Sequence, residues 1–318
     1  GEPMENNIVL QDIISNVEKV MVGKRGTIEK IIICLISGGH VLIEDVPGVG
    51  KTVLVHSIAK SINCDFKRIQ FTPDLLPSDI TGVSIYNQKT GEFEFKKGPI
   101  MGQIILADEI NRTSPKTQAS LLEAMEEHQI TVDGVTYKLK EPFMVLATQN
   151  PMEYEGTFPL PEAQLDRFMM KVNIGYPDET SELNMLKRFK EINPLTELKP
   201  VASTEDIIRI KNEVKSVMVN SGVEMYILSI VRSTRENDKI LLGASPRASL
   251  NLYRASQGRA ILKGRDFVTP DDVKYVSKSV LNHRIIVKPE YRLKGLSVED
   301  VIDEILKSVK VPGVSDYD

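Results

Sequence analysis

Glu44-Asp45-Val46-Pro47-Gly48-Val49-Gly50-Lys51-Thr52-Val53 decides how this 318-residue chain is to be read. An apolar run at residues 40–44 precedes it, and residues 53–62 behind it have helical character. Strand, glycine-rich turn and helix in that order make a cradle for phosphate. Gly48 and Gly50 put no side chain in the way, so several backbone N–H groups can converge on one anion. The helix start behind the loop adds a favourable dipole. Lys51 supplies a point charge to the terminal phosphates, and the Thr52 hydroxyl can ligate magnesium. Pro47, Val49 and Val53 complete the segment expected to wrap a nucleotide. Asp45 stands where the strict phosphate-loop pattern has its first glycine, so its carboxylate has to point away from the ligand.

Further along, Ile104-Ile105-Leu106-Ala107-Asp108-Glu109 is an apolar strand ending in two acids. After a phosphate loop, Asp108 is placed to hold magnesium through water and Glu109 to polarise an attacking water. Residues 143–148 form another strand candidate that ends in Gln149-Asn150-Pro151. Asn150 beside Asp108 can hydrogen-bond a γ-phosphate or the water, although Asn-Pro also simply starts turns. Two arginines follow. Arg167 lies after Pro161-Glu162-Ala163-Gln164-Leu165-Asp166, and its bland alternative is a solvated pair with Asp166 or Glu162. Arg247 lies in Ser245-Pro246-Arg247, where Ser245 caps and Pro246 begins a helix. A cation in a first helical turn opposes the helix dipole and wants a compensating anion, which a nucleotide phosphate would supply.

The elements around these motifs alternate as in a parallel sheet with crossover helices. Strand character occurs at residues 40–44, 66–71, 103–107, 143–148 and 170–174. Ile104-Ile105-Leu106 and Met144-Val145-Leu146 are unbroken apolar runs, as expected where both sheet faces are covered. Residues 28–37 read as a buried helix stopped by Gly38-Gly39. Residues 129–139 alternate about Asp133-Gly134 and read as a tight hairpin, while residues 83–97 read as a longer-looped one. Beyond Tyr176-Pro177-Asp178 the texture is helical, with starts at Ser203 or Thr204, Thr269-Pro270 and Ser297. Two domains are expected, residues 1–177 and residues 178–318.

Composition sets outer limits. A 41% hydrophobic and 26% charged chain can bury real cores. Its formal net charge of −4 argues mildly against a protein that lives on nucleic acid. Cys34 and Cys64 make no CxxC pair, and His40, His56, His128 and His283 are scattered, so no transition-metal site is expected. With no signal peptide and no apolar run near the roughly 18–20 residues that span a bilayer, the expected compartment is the cytoplasm.

The motif wording from Glu44 to Thr52, together with Asp108-Glu109-Ile110-Asn111-Arg112, Ala147-Thr148-Gln149-Asn150-Pro151 and residues 161–168, resembles the MoxR branch of the AAA+ ATPases. The likeness runs from about Val20 to the last helices. It implies an α/β fold, the AAA+ P-loop αβα sandwich, followed by a smaller all-helical lid. It further implies ATP with Mg2+, the metal held by Thr52 and Asp108, and Asp45 as a common variant of the loop. Asn150 becomes sensor one, Arg167 the arginine finger, Arg247 sensor two, and Val22-Gly23 the segment near adenine. The two hairpins match inserts that mark this branch. Family members typically form homo-hexamer rings and act as chaperone-like maturation factors with von Willebrand factor A domain partners. ATP is then expected between the two domains of one chain, with the finger supplied by a neighbour. Two rivals stand beside this expectation. A nucleic-acid ring motor is kept open by Lys89, Lys96, Lys97, Lys138 and Lys140, and a scaffold that binds ATP without turnover is opposed by the Asp108-Glu109 pair.

Overall fold

The computed structural model describes residues 2–44, 50–149, 157–176, 178–191 and 194–313. Five strands form the central sheet: β1 (Val41–Glu44), β2 (Phe66–Gln70), β5 (Ile104–Asp108), β8 (Met144–Gln149) and β9 (Met170–Asn173). Each lies within one residue of its expected place. Their order is β2-β5-β8-β1-β9 and every pairing is parallel. Parallel strands bring all their C-terminal ends to one edge, so Glu44, Gln70, Asp108 and Gln149 share it. In open α/β sheets that edge is where ligands sit.

Side chains alternate between two apolar layers, as the period of two demands. Ile104, Leu106, Val41 and Ile43 face one layer, while Ile105, Ala107 and Leu42 face the other. The first layer holds α1 (Glu2–Glu18), α2 (Arg25–Ser37) and α3 (Lys51–Ser61). Helix α2 buries Ile28 and every residue from Ile31 to Ile36, so it is apolar nearly all round. Each such side chain is worth about 1.5–3 kcal/mol on burial. Gly38 ends α2 in the left-handed region at φ 77, which a glycine adopts without penalty. On the second layer lie α4 (Pro77–Thr81) and α5 (Pro115–Glu127), the latter capped by Ser114, whose hydroxyl accepts the Thr117 N–H.

Both expected hairpins are present. Strands β3 (Gly82–Asn87) and β4 (Glu92–Lys97) pair antiparallel, as do β6 (Gln129–Val132) and β7 (Val135–Lys138). Asp133 and Gly134 both have positive φ, the requirement of a two-residue hairpin turn. Phe95 stacks on Tyr137 at 4.1 Å between ring centroids and ties the two hairpins together.

Past the short α6 (Glu162–Leu165) and strand β9, the chain is mainly helical. Helices α7 (Glu179–Glu191), α8 (Pro194–Glu197), α9 (Thr204–Val214) and α10 (Ser221–Glu236) lead to α11 (Pro246–Leu262), α12 (Pro270–Leu281), α13 (Pro289–Leu293) and α14 (Val298–Ser308). Reciprocal capping boxes at Ser203, Thr269 and Ser297 start α9, α12 and α14. This region is not wholly helical: β10 (Ile240–Leu242) and β11 (Ile286–Val287) form an antiparallel ribbon. Strands this short show no alternation in sequence, which is why the all-helical expectation passed over them. The expected boundary at Pro177 falls outside the described residues. One apolar cluster runs unbroken from Ile31 and Ile33 on α2 to Leu252, Ala255 and Val276 on α11 and α12, so the helical part packs directly on the sheet domain.

A polar bolt secures that packing. The buried Arg284 guanidinium donates to Asp166 Oδ1 at 2.6 Å and to the carbonyls of Asp166, Phe168, Met169 and Val280. Ser245, at the start of α11, donates to the other Asp166 oxygen at 2.7 Å. Removing Asp166 would strand a buried cation, a change that costs about 3–5 kcal/mol.

His40, immediately before β1, is buried with both ring nitrogens engaged. The Val145 N–H donates to Nδ1 at 3.0 Å, and Nε2, carrying the proton, donates to the Met125 carbonyl at 2.9 Å. Burial first, then nearby His128 and Lys211, pushes its pKa down to about 3 from 6.5, with the Met125 bond opposing. The fold thus refuses a proton that the unfolded chain accepts, so stability is lost as pH falls from the unfolded value towards the folded one. From about pH 6 to about pH 5, wild-type unfolding free energy in urea should drop by about 1.2 kcal/mol more than that of His40→Gln. Parallel pH profiles would refute this role for His40.

Candidate active site

Gly50 caps α3 in the left-handed region at φ 77 with no side-chain hydrogen bond at the cap. The first turn of α3 therefore begins at the C-terminal edge of the sheet, its cap made by backbone alone. Such a start suits an anion. Gly50, Lys51, Thr52 and Val53 occupy it as the motif requires. Pro47, Gly48 and Val49 lie outside the described residues, as do Asp45 and Asn150.

Asp108 ends β5, between β2 and β8 on that edge, and is only 2% exposed. Lys51 Nζ stands 3.0 Å from its Oδ1, and Arg68 Nη2 stands 2.6 Å from its Oδ2. The Thr148 hydroxyl, near the end of β8, also donates to Oδ1 at 2.7 Å. Burial opposes ionisation, but the bonds from Arg68, Thr148 and Lys51 outweigh it and hold the carboxyl below its usual range. Asp108 is therefore an anion at neutral pH, fit to meet a cation.

Glu109 follows with φ 57 and ψ 55, a left-handed conformation unusual for a residue with a side chain. The strain has a visible support. The Glu109 N–H donates to the Thr148 oxygen at 2.8 Å, so one hydroxyl bridges both acids. Its carboxylate lies 3.2 Å from Arg112 Nη1 and 3.5 Å from Gln70 Nε2. Turned out of the strand in this way, Glu109 leaves Asp108 buried and itself reaches the open edge. Among the described residues no three His, Cys, Asp or Glu side chains converge on a point. A lone buried carboxylate at the sheet edge where α3, carrying Thr52 in its first turn, begins fits magnesium, which keeps waters and takes further oxygens from phosphate.

Val22 and Gly23 lie between α1 and α2 on the α3 side. Met21 packs near Gly50, and Gly23, at φ 78, is so close to Ser181 on α7 that any Cβ would strike its hydroxyl. The expected base-side segment is thus wedged between α3 and the first helix past Pro177.

The arginines are elsewhere. Arg167 Nη1 lies 3.4 Å from Glu126 Oε2, and Arg247 Nη2 lies 2.9 Å from Glu126 Oε1. Together with Gly38, Gly39 and His40 they line a cavity of about 570 Å³. Gly39 and His40 precede β1 whereas Lys51 follows it, so this cavity is at the N-terminal edge of the sheet. The four-residue strand between them spans about 13 Å. The structure brings Arg167 and Arg247 together and does not bring either to Lys51. The expectation that Arg247 closes over the nucleotide of its own chain does not match this placement, because Ser245 and the Arg284–Asp166 bolt fix the start of α11 beside Arg167. The anion that compensates Arg247 is Glu126, and Asp166 is committed to Arg284 rather than to Arg167.

Sequence reasoning passed over Thr148, Arg68, Gln70, Arg112 and Glu126. Only the Arg-Ile-Gln alternation at 68–70 carried a signal, two polar side chains on one face of a strand that then meets Asp108.

Comparison with known proteins agrees with this geometry. The profile of the ATPase family associated with various cellular activities (AAA) matches residues 40–170, and that of an AAA lid domain matches residues 232–305. Chaperone MoxR1 of Mycobacterium tuberculosis is 40% identical over 315 residues, covering 96% of this chain and 83% of that one. The uncharacterized protein YeaC of Bacillus subtilis is 53% identical over 304 residues, covering 96% and 95%. A crystal structure of a candidate ATPase from Cytophaga hutchinsonii superposes with a TM-score of 0.91 at 44% identity, covering 98% and 97%.

If Thr148 is what holds Glu109 in its strained turn, Thr148→Val should lower ATP turnover by roughly 5- to 150-fold, on the order of one to three kcal/mol for a lost buried hydrogen-bond bridge. Thr148→Ser, which keeps the hydroxyl, should retain most of it. Equal turnover in Val and Ser variants would remove the bridge from the site's working parts.

Proposed function

The chain belongs to the MoxR family of AAA+ ATPases, and we propose that it is a magnesium-dependent ring ATPase whose active site is completed by a neighbouring copy. The observation that supports this reading is the meeting of Arg167 and Arg247 on Glu126, at the sheet edge opposite Lys51. Two cations needed at a phosphate, but held away from the phosphate loop of their own chain, are placed to serve the loop of the next. A homo-hexamer is the ring size the family implies.

Within one chain, Lys51 and the start of α3 bind the phosphates, and Thr52 and Asp108 hold the metal. Mg2+ when bound would supply positive charge that offsets that of the phosphates. Glu109 orients and polarises the attacking water, and Asn150 is the matching sensor at the end of β8. Val22 and Gly23 line the base side. The neighbour's Arg167 and Arg247 neutralise charge as it develops on the transferred phosphoryl group.

The turnover drives remodelling or maturation of a client protein in the cytoplasm, with a von Willebrand factor A domain protein as partner. The face of the β3–β4 hairpin favours protein over nucleic acid. Tyr86 and Phe93 are exposed and meet edge to face, and Lys96 is paired with Glu94 at 3.4 Å. No helix among the described residues is long and apolar enough to cross a membrane.

Lys51→Ala should abolish ATP binding, and Glu109→Gln should bind ATP yet stall, retaining client and partner in a pull-down. Arg167→Ala and Arg247→Ala should each bind ATP at nearly wild-type affinity while turnover falls, by roughly 10³–10⁵ for the finger. Mixing Arg167→Ala with Lys51→Ala should restore turnover at interfaces that pair an intact loop with an intact finger. Absence of rescue in rings shown to be mixed contradicts action between subunits, and stimulation by DNA at near-physiological salt contradicts the protein-client reading.

A further inference from the structure

Arg68 is a cation of the phosphate edge that the motifs do not include. It lies on β2, the outermost strand, between Phe66 and Gln70 on one face of the sheet. Phe66 stacks on His56 of α3 at 4.5 Å, so this is the face on which the phosphate-loop helix lies. Ile69 points to the other layer. In register, Gln70 is opposite Asp108 and Arg68 is opposite Leu106. The Arg68 side chain therefore runs forward along the strand, and its guanidinium ends level with Lys51.

There the two cations share one carboxylate. Lys51 takes Oδ1 and Arg68 takes Oδ2, and Arg68 also donates to Gln70 Oε1 at 3.0 Å. Two cations converging on one carboxylate at the phosphate edge suit an incoming polyanion, and the Glu109 carboxylate nearby is paired with Arg112. The exposures differ sharply: Asp108 is 3% exposed at its side chain and Arg68 45%. Arg68 can thus swing while Asp108 stays. A divalent cation arriving at Asp108 repels both side chains, and for Lys51 the destination is the phosphate chain. Arg68, on the other oxygen of the same carboxylate, is released at the same edge.

We propose that Arg68 is a same-chain γ-phosphate ligand, held on Asp108 until magnesium and ATP displace it, so that it distinguishes triphosphate from diphosphate. The inference rests on the nucleotide site described above and is separate from Arg167 and Arg247, which belong to the other sheet edge. A planar guanidinium fork is well suited to the task, because it can hold two phosphoryl oxygens at once.

The test is equilibrium calorimetry on the full chain with Mg2+, using the β,γ-imido analogue of ATP and, separately, ADP. Arg68→Met should lose roughly 10- to 100-fold for the triphosphate analogue and no more than about threefold for ADP, the size expected of a charged hydrogen bond. Arg68→Lys, which keeps the charge but not the fork, should fall between. Far-UV circular dichroism and urea midpoints of both variants establish that β2 remains folded. If Arg68 merely ties the edge strand to Asp108, both nucleotides lose affinity equally or neither does, and either result overturns the proposal. Lys51→Ala is the control for the site itself: if it still binds both nucleotides at wild-type strength, the underlying site and this inference fall together. If it loses both while Arg68→Met discriminates nothing, only the inference falls.

Discussion

The Asp108 carboxylate is the interaction on which the working edge of this protein depends. It is buried at the end of β5, the strand next to the edge strand β2, and burial alone would favour its neutral form. It stays ionised because Lys51, Arg68 and Thr148 all donate to it. Three elements are fixed by those bonds: the start of α3, the edge strand β2 and the end of β8. The same Thr148 oxygen then accepts the Glu109 N–H and steadies the left-handed turn that carries Glu109 out of the strand. Placement of Asp108 and placement of Glu109, the proposed metal ligand and the proposed base, are thus a single arrangement. A buried charge can be held so because each of its oxygens has partners, and removing any one leaves the others partly uncompensated.

A parallel sheet imposes a second constraint. Its strands all end on one side, so the loops that precede them and the loops that follow them cannot meet. The phosphate loop follows β1, and Arg167 precedes β9, the neighbour of β1 in the sheet. No side chain reaches around a strand layer of this height. Glu126 lets the arginines exist in a free subunit by giving both a partner, at moderate exposure, where a water-screened pair contributes little to stability. An interaction this weak is easily exchanged for a phosphate.

What was legible in the sequence was local or periodic. Short apolar stretches, two of them unbroken runs, located the five strands, Gly38 marked the end of α2, and Asp133-Gly134 marked a hairpin turn, since each is a property of a few neighbouring residues. Lys51, Asp108 and Glu109 were legible because their chemistry is tied to a strand end or a helix start. Pairings across the chain were not. Arg68 and Asp108 are forty positions apart, and nothing local says that an edge-strand arginine runs forward to that carboxylate. Arg247 was correctly read as a cation in want of an anion, yet the anion present is Glu126, brought by α5 from far back in the chain. The β10–β11 ribbon was invisible because two or three residues cannot display a period.

The Arg284 bolt determines how movement of the helical part reaches the sheet. Asp166 is adjacent in sequence to Arg167, and its carboxylate is held by Arg284 from the end of α12 and by Ser245 from the start of α11. Arg247 is two residues beyond Ser245. His283 adds a 2.8 Å contact to the Phe168 carbonyl, and Asn282 donates to that of Lys171 on β9. The segment bearing Arg167 and the helix bearing Arg247 therefore cannot move independently without breaking bonds to a buried guanidinium. Such bonds are costly to break and gain nothing from partial loosening. Any shift of α11 and α12 relative to the sheet has to carry residues 166–169 along or pivot about them. Either way both arginines move as one unit. On the base side, Gly23 against Ser181 is the corresponding contact between the sheet domain and α7, and it is steric rather than polar.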